Sequence, residues 1–230
     1  LDRAKKQKMR VLVALLDYSR HTFTKQVVEH NSANAGCGFD LATIDEFGIA
    51  RALNVAMEQA EHYDALFTMS NDILMPDGWL AKAVEAAEAI PETGCAALYT
   101  VQDLYAEKMI GGVKVYPGEI VFGNALYPRL ALTSVGHFNQ MFDPYGMQDS
   151  DWCHRAHAMG FNNYYIDAPR SEHIGHDVGQ DSEYRRMKDA GLQKCGEVWG
   201  KVTSMYAHYK KYDVFYPEYK WPNYEGRTNL

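Results

Sequence analysis

A chain of 230 residues with 47% hydrophobic content is long enough for one α/β domain with a substantial core and short for two. A formal net charge of −7 argues against a nonspecific grip on a polyphosphate backbone, and the lack of any run of eighteen apolar residues excludes a helical membrane span. The basic stretch from Leu1 to Arg10 leads into an apolar run too short for a signal peptide. Cys37, Cys95, Cys153 and Cys195 lie far apart with no metal-ligand spacing. They read as reduced thiols of an intracellular protein, so a cytoplasmic location is expected.

The first element is the continuous apolar run from Val11 to Leu16. Such a run marks a strand covered on both faces, as in a parallel sheet. Residues 22–31 read as a helix, 34–38 as a glycine-containing turn, and 39–44 as a second strand that ends at Asp45 and Glu46. From residue 49 to 60, Ile49, Leu53, Ala56, Met57 and Ala60 recur at helical spacing. Residues 65–69 are a third strand, ending at Ser70, Asn71 and Asp72. An alanine-rich helix over 80–90 follows Pro76-Asp77-Gly78-Trp79, then a strand over 95–101 and a hairpin-rich insert over 113–122. A helix begins at Asp149, and a short strand covers 164–167. The tail 206–224 interleaves tyrosines with lysines.

Strand, helix, strand, helix, strand predicts an α/β fold with a doubly wound, mostly parallel sheet and helices on both faces. Ligands of such sheets bind beyond the carboxyl ends of the strands. The polar residues there are Asp17, Asp45, Glu46, Asn71 and Asp72. Acids recur at these ends, although any one Asp or Asn also serves to start a turn or cap a helix.

Three segments in this order resemble the family 2 glycosyltransferases, which have the GT-A fold. Gly48-Ile-Ala-Arg51-Ala-Leu-Asn54 is similar to the family's helix before its metal strand. The segment from Phe67 through Asn71-Asp72 to Gly78-Trp79 resembles its apolar strand, acidic metal motif, and glycine–tryptophan pair opening a helix. The segment from Val135 to Arg155 resembles its glycine-containing acceptor loop, acidic pair and following arginine. Two departures stand out. Asn71 precedes a lone Asp72 where the family often has two acids, and Gln148 precedes Asp149 where it usually has Glu-Asp.

The resemblance implies a single domain over 1–230. Residues 10–100 would be the nucleotide-sugar half, 101–180 the acceptor half, and 181–230 a C-terminal helix with an aromatic tail. It implies transfer of a sugar from a nucleotide-diphosphate sugar to a hydroxyl acceptor, with inversion. That acceptor is a glycan, a small molecule or a modified nucleobase. Asp72 would bind Mn²⁺ or Mg²⁺ through its hard oxygens, joined by His173 or His176 of the Ser-Glu-His-Ile-Gly-His segment. The alternative is a pair of surface loop histidines. Asp149 would be the general base, or else an N-cap. Asp17, Asp45, Glu46, Arg51 and Asn71 are the candidates to hold the nucleotide. Arg51 is equally readable as a solvated helix-face charge, Asn54 would fix the loop before it, and Trp152 either walls the acceptor site or fills core.

Two other classes fit less well. A nucleotidyltransferase-like enzyme would carry a glycine-rich basic loop after the first strand, and Asp17-Tyr18-Ser19-Arg20-His21 has no glycine. A non-catalytic sugar-binding module would use the tyrosines of the tail as stacking faces.

Overall fold

The computed structural model describes residues 8–17, 23–100, 104, 106–118, 121, 123–175 and 182–199. His176 and the aromatic tail 206–224 lie outside them, as does the end of the strand expected over 95–101.

The main sheet begins as the sequence pattern requires. Strand β1 (Val11–Leu16) pairs in parallel with β2 (Asp40–Ile44) on one side and β3 (Ala65–Ser70) on the other. Leu16 stands opposite both Ile44 and Ser70, so the carboxyl ends of the three strands are level. That register puts Asp17, Asp45 and Asn71 on one edge of the sheet.

The remaining strands make the sheet mixed. Next to β3 lies β8 (Ala125–Pro128), antiparallel to it and to β5 (Thr93–Ala97). Then come β9 (Asn162–Ile166), parallel to β5, and the hairpin of β7 (Val113–Pro117) and β6 (Lys108–Ile110). The full order is β2-β1-β3-β8-β5-β9-β7-β6. The hairpin expected as an insert is thus the far side of the main sheet. Strand β8, at its centre, has four residues, too few for any periodic signal, and it closes on Pro128, which has no N–H to give the ladder.

Helices cover both faces. On one face α2 (Ile49–Gln59), α4 (Arg129–Val135) and α5 (Gln148–Ala158) pack on Leu12, Ala14, Leu66, Cys95 and Ala97. On the other, α1 (Thr24–Ala33) and α3 (Trp79–Ala89) pack on Val11, Val13, Leu15, Phe67 and Met69. Each layer has a buried tryptophan with its N–H satisfied. Trp79 packs tilted against Phe67, with ring centroids 4.5 Å apart, and donates to the Asn31 carbonyl at 2.9 Å. Trp152 packs edge-on to Tyr127 at 5.0 Å and donates to the Gly136 carbonyl at 3.0 Å. Trp152 is fully buried, so of its two readings the structure selects core.

A second, two-stranded sheet joins β4 (Ile73–Leu74) to β10 (Glu172–His173) beyond the end of β3. Helix α6 (Ser182–Val198) closes the described chain. No helix among the described residues is long and apolar enough to cross a membrane.

Candidate active site

Asp72 is the second residue beyond β3, and the small sheet brings a histidine onto it. Antiparallel pairing sets His173 opposite Ile73, and the Ile174 N–H donates to the Asp72 carbonyl at 2.9 Å. His173 Nε2 then lies 3.0 Å from Asp72 Oδ2. Buried Asn31 of α1 fixes the same segment by donating to the Ile73 carbonyl at 3.0 Å and accepting from the Met75 N–H at 2.8 Å. Gly175 is required for closeness: a Cβ there would stand 2.7 Å from both Asp72 Cβ and Asp72 Oδ2.

Both side chains keep partial solvent access, 17% for Asp72 and 31% for His173. As they stand, the pair is a carboxylate–imidazole hydrogen bond. Their donor set also fits a divalent cation. Two neighbouring ligands on an octahedral ion, each at roughly 2.0–2.2 Å, are themselves about 3 Å apart, and carboxylate plus imidazole suits Mn²⁺. Among the described residues no third His, Cys, Asp or Glu joins them.

One strand over, Asp17 is held by two donors. Asn71 Nδ2 and Thr24 Oγ1 each lie 3.0 Å from Asp17 Oδ1. Asn71 is 5% exposed. A second acid at 71 would face the Asp17 carboxylate with like charge, whereas the amide donates to it. The departure from a two-acid motif therefore has a local cause. Asp45 and Glu46 are exposed at the end of β2, and Arg51 is exposed on the first turn of α2. The structure gathers Asp17, Asn71, Asp72 and His173 closely and leaves Asp45, Glu46 and Arg51 on the flank.

Asp149 occupies the first turn of α5, where its Oδ1 accepts the Ser150 N–H at 2.8 Å. Burial pushes its pKa up to about 6, and backbone N–H groups of Ser150, Asp149 and Gly123 only partly offset that. A carboxyl poised near neutrality suits proton transfer. Gly123 adjoins Asn124, whose Oδ1 accepts the Ser70 N–H at 2.7 Å at the end of β3. One short segment thus ties Asp149 to the edge that carries Asp72. Gln148, next to Asp149, is buried and accepts the Gly146 N–H at 3.2 Å.

Asp151 is different in kind. It and Arg155 form an ion pair at 3.1 Å with neither side chain exposed. Arg155 also donates to the Val135 and His137 carbonyls, each at 2.8 Å, and Trp199 Nε1 donates to Asp151 Oδ1 at 3.0 Å. This network holds α5 to the preceding loop and to the end of α6.

Of the two residues that anchor this loop, Asn54 was read otherwise from sequence and Asp143 was not singled out. Asn54 does not fix the loop before it. It exchanges two bonds with Phe138, 84 positions on, donating to the carbonyl at 2.9 Å and accepting the N–H at 2.7 Å. Asp143 caps α2 from across the fold, accepting the Ala50 N–H at 2.8 Å, and Ile49 N–H donates to the Pro144 carbonyl at 3.2 Å. Burial raises the pKa of Asp143 against the pull of the Ala50 and Arg51 amides and of the Arg51 and Lys194 charges. The available signal was Gly48: a helix opening without Ser, Thr, Asp or Asn must find its cap elsewhere.

No protein-family model matches the sequence, and no curated protein does. Solved structures do match in fold. GalNAc-T7, crystallised with UDP, GalNAc and Mn²⁺, superposes with a TM-score of 0.60 at 11% identity over 92% of this chain and 50% of that one. The chain spans half the length of that protein. The catalytic domain of Drosophila β1,4-galactosyltransferase 7 with xylobiose superposes with a TM-score of 0.55 at 14% identity, covering 76% of this chain and 75% of that one. A mutant of the same enzyme with manganese, UDP-Gal and xylobiose gives 0.53 at 14% identity, covering 79% and 75%. The likeness is one of fold, the α/β fold of GT-A-type glycosyltransferases.

Proposed function

We propose that the chain is a nucleotide-sugar glycosyltransferase that uses a divalent cation, and the meeting of Asp72 with His173 carries that reading. An acid at the end of a buried central strand, with an imidazole brought 3.0 Å from it by a dedicated two-stranded sheet, is costly to build for packing alone. The matched folds belong to enzymes crystallised with UDP and Mn²⁺, or with UDP-Gal and manganese, which supports the same chemistry.

In this reading Asp72 and His173 hold Mn²⁺ or Mg²⁺, with His176, outside the described residues, as a further candidate. The cation would draw negative charge from the departing diphosphate. The nucleotide lies along the level ends of β2, β1 and β3. At about 4.8 Å between strands those ends span roughly 10 Å, which suits a nucleoside diphosphate laid across them. Asp45 and Glu46 face the base or ribose, Asp17 the ribose under the control of Asn71, and Arg51 the diphosphate.

Asp149 takes the proton from the acceptor hydroxyl as the new bond forms. A hydroxyl is a weak nucleophile near neutrality, so its attack depends on a carboxylate in reach that is still ionised. A single displacement by that hydroxyl inverts the anomeric carbon. Residues 10–100 then serve the donor, and 101–180 supply the base and the loop on the acceptor side.

The test is a scan of nucleoside diphosphates and their sugars by thermal shift, with Mn²⁺ and with EDTA. A nucleotide that stabilises the protein only when the cation is present is the expected result. Stabilisation that ignores the cation, or none by any nucleotide, would overturn the proposal.

A further inference from the structure

Between the loop preceding α5 and the helix α6 runs an open groove of about 390 Å³, walled by Pro144 and Tyr145 on one side and by Arg186, Met187, Gly191 and Lys194 on the other. That volume lies in the range of small-molecule sites. The wall at Gly191 is set by close approach: a Cβ there would stand 2.8 Å from the Gly146 carbonyl oxygen. The loop that forms the first wall continues directly into the turn bearing Asp149. Helix α6 feels the same carboxylate, since the Cys195 thiol is pushed up to about 11 by burial first and then by the charges of Asp151 and Asp149.

The charges along the groove are unusual for a chain of net charge −7. Arg186 and Lys194, eight residues apart on one helix, stand about 12 Å apart along its axis, one toward each end. Lys194 spends one N–H on the Met141 carbonyl at 2.7 Å, and an ammonium has three. The acid in the same wall, Asp143, accepts the Ala50 N–H of α2 with its carboxylate over Gly48, and the charge of Lys194 also acts on it. Between the two cations the surface is an aromatic ring, a proline and a methionine. Such a floor receives the apolar face of a pyranose, and a guanidinium fork pairs with a carboxylate.

We infer that this groove is the acceptor subsite and that it takes an acidic glycan, a short oligosaccharide containing a uronic acid. This rests on the glycosyltransferase reading above and adds the acceptor class to it. Arg186 and Lys194 are then the residues that select for carboxylate, and Tyr145 and Met187 carry the sugar rings.

The experiment is titration calorimetry of the full chain at low salt with a glucuronic-acid-terminated disaccharide and its glucose-terminated counterpart, with and without UDP and Mn²⁺. The acidic sugar is expected to bind about tenfold more tightly, and Arg186→Gln, at an exposed position, should remove most of that preference. Lys194→Gln should act in the same direction, with a melting curve to show that the fold is kept. Equal affinity for both sugars, no binding of either, or an undiminished preference in folded Arg186→Gln would each overturn the inference, as would tighter binding of a phosphorylated disaccharide. UDP affinity in the presence of Mn²⁺ is read in parallel. If UDP binds while the acidic sugar does not, only the acceptor assignment fails; if UDP shows no cation-dependent binding, the transferase reading fails.

Discussion

His173 Nε2 lies 3.0 Å from Asp72 Oδ2 although 101 positions separate the two residues in the chain. If they share a cation, Asp72→Asn should abolish the extra stabilisation that Mn²⁺ gives to UDP binding, because a neutral amide oxygen cannot replace an anionic ligand. His173→Ala should weaken the increment while leaving metal-free melting nearly unchanged, since the imidazole is partly exposed. Thermal shift with UDP, Mn²⁺ and EDTA reads both. An intact increment in Asp72→Asn would remove this carboxylate from the cation's shell.

The raised pKa of Asp149, about 6, has consequences of defined sign. Between roughly pH 4 and pH 6 the folded protein holds a proton that the unfolded chain has released. The group's contribution to stability is therefore fully present below about pH 4 and is lost as pH rises through about 6. Asp149→Asn should raise stability at pH 7.5 by roughly 1–2 kcal/mol, a figure reduced for partial solvent access, and change it little at pH 4. Urea denaturation at the two pH values measures this. Single-turnover transfer should fall about 10²- to 10⁴-fold in the same variant with donor affinity kept. In the parent, transfer should decline as pH drops below about 6. A parental transfer rate in Asp149→Asn would refute its role as base.

Asp151 should behave in the opposite way. Asp151→Ala strips a fully buried arginine of its counter-charge and Trp199 of its acceptor. Breaking one side of such a pair costs about 3–5 kcal/mol. Urea denaturation at pH 7.5 should show that loss, and a near-neutral effect would mean that Arg155 is satisfied by its carbonyl partners alone.

Asn54→Ala should orphan the buried N–H and carbonyl of Phe138. The expected cost is roughly 1–3 kcal/mol. Hydrogen exchange supplies the sharper reading: the Phe138 amide should lose protection while amides of β1 and β3 keep theirs.

The strands whose ends line up at Asp17, Asp45 and Asn71 were legible because their signal is local. Val11 to Leu16 and Ala65 to Ser70 are buried on both faces, and a continuous apolar run announces that without any partner being known. The positions of Asp72 and Asp149 in the fold were legible for a related reason, each following or opening an element with a clear pattern. What brings His173 to Asp72 is a pairing of two-residue strands, which no periodicity can announce. The caps and clamps were hidden for the same reason. Asp143 and Asn54 act on partners 93 and 84 positions away, and their chemistry becomes specific only once the fold has closed. Asn71 looked like a weakened metal motif, and only the position of Asp17 shows why an amide suits it.

Gly48 sits at φ +97°, and a Cβ placed on it would stand 2.7 Å from the Asp143 carboxylate carbon. Any side chain at 48 thus needs both a relaxed backbone and a smaller residue at 143, and a residue smaller than Asp at 143 surrenders the cap of α2. The two positions cannot drift independently. Among descendants of this sequence they should change together or stay fixed, and a graft that swaps residues 101–180 between relatives should fail unless position 48 travels with it.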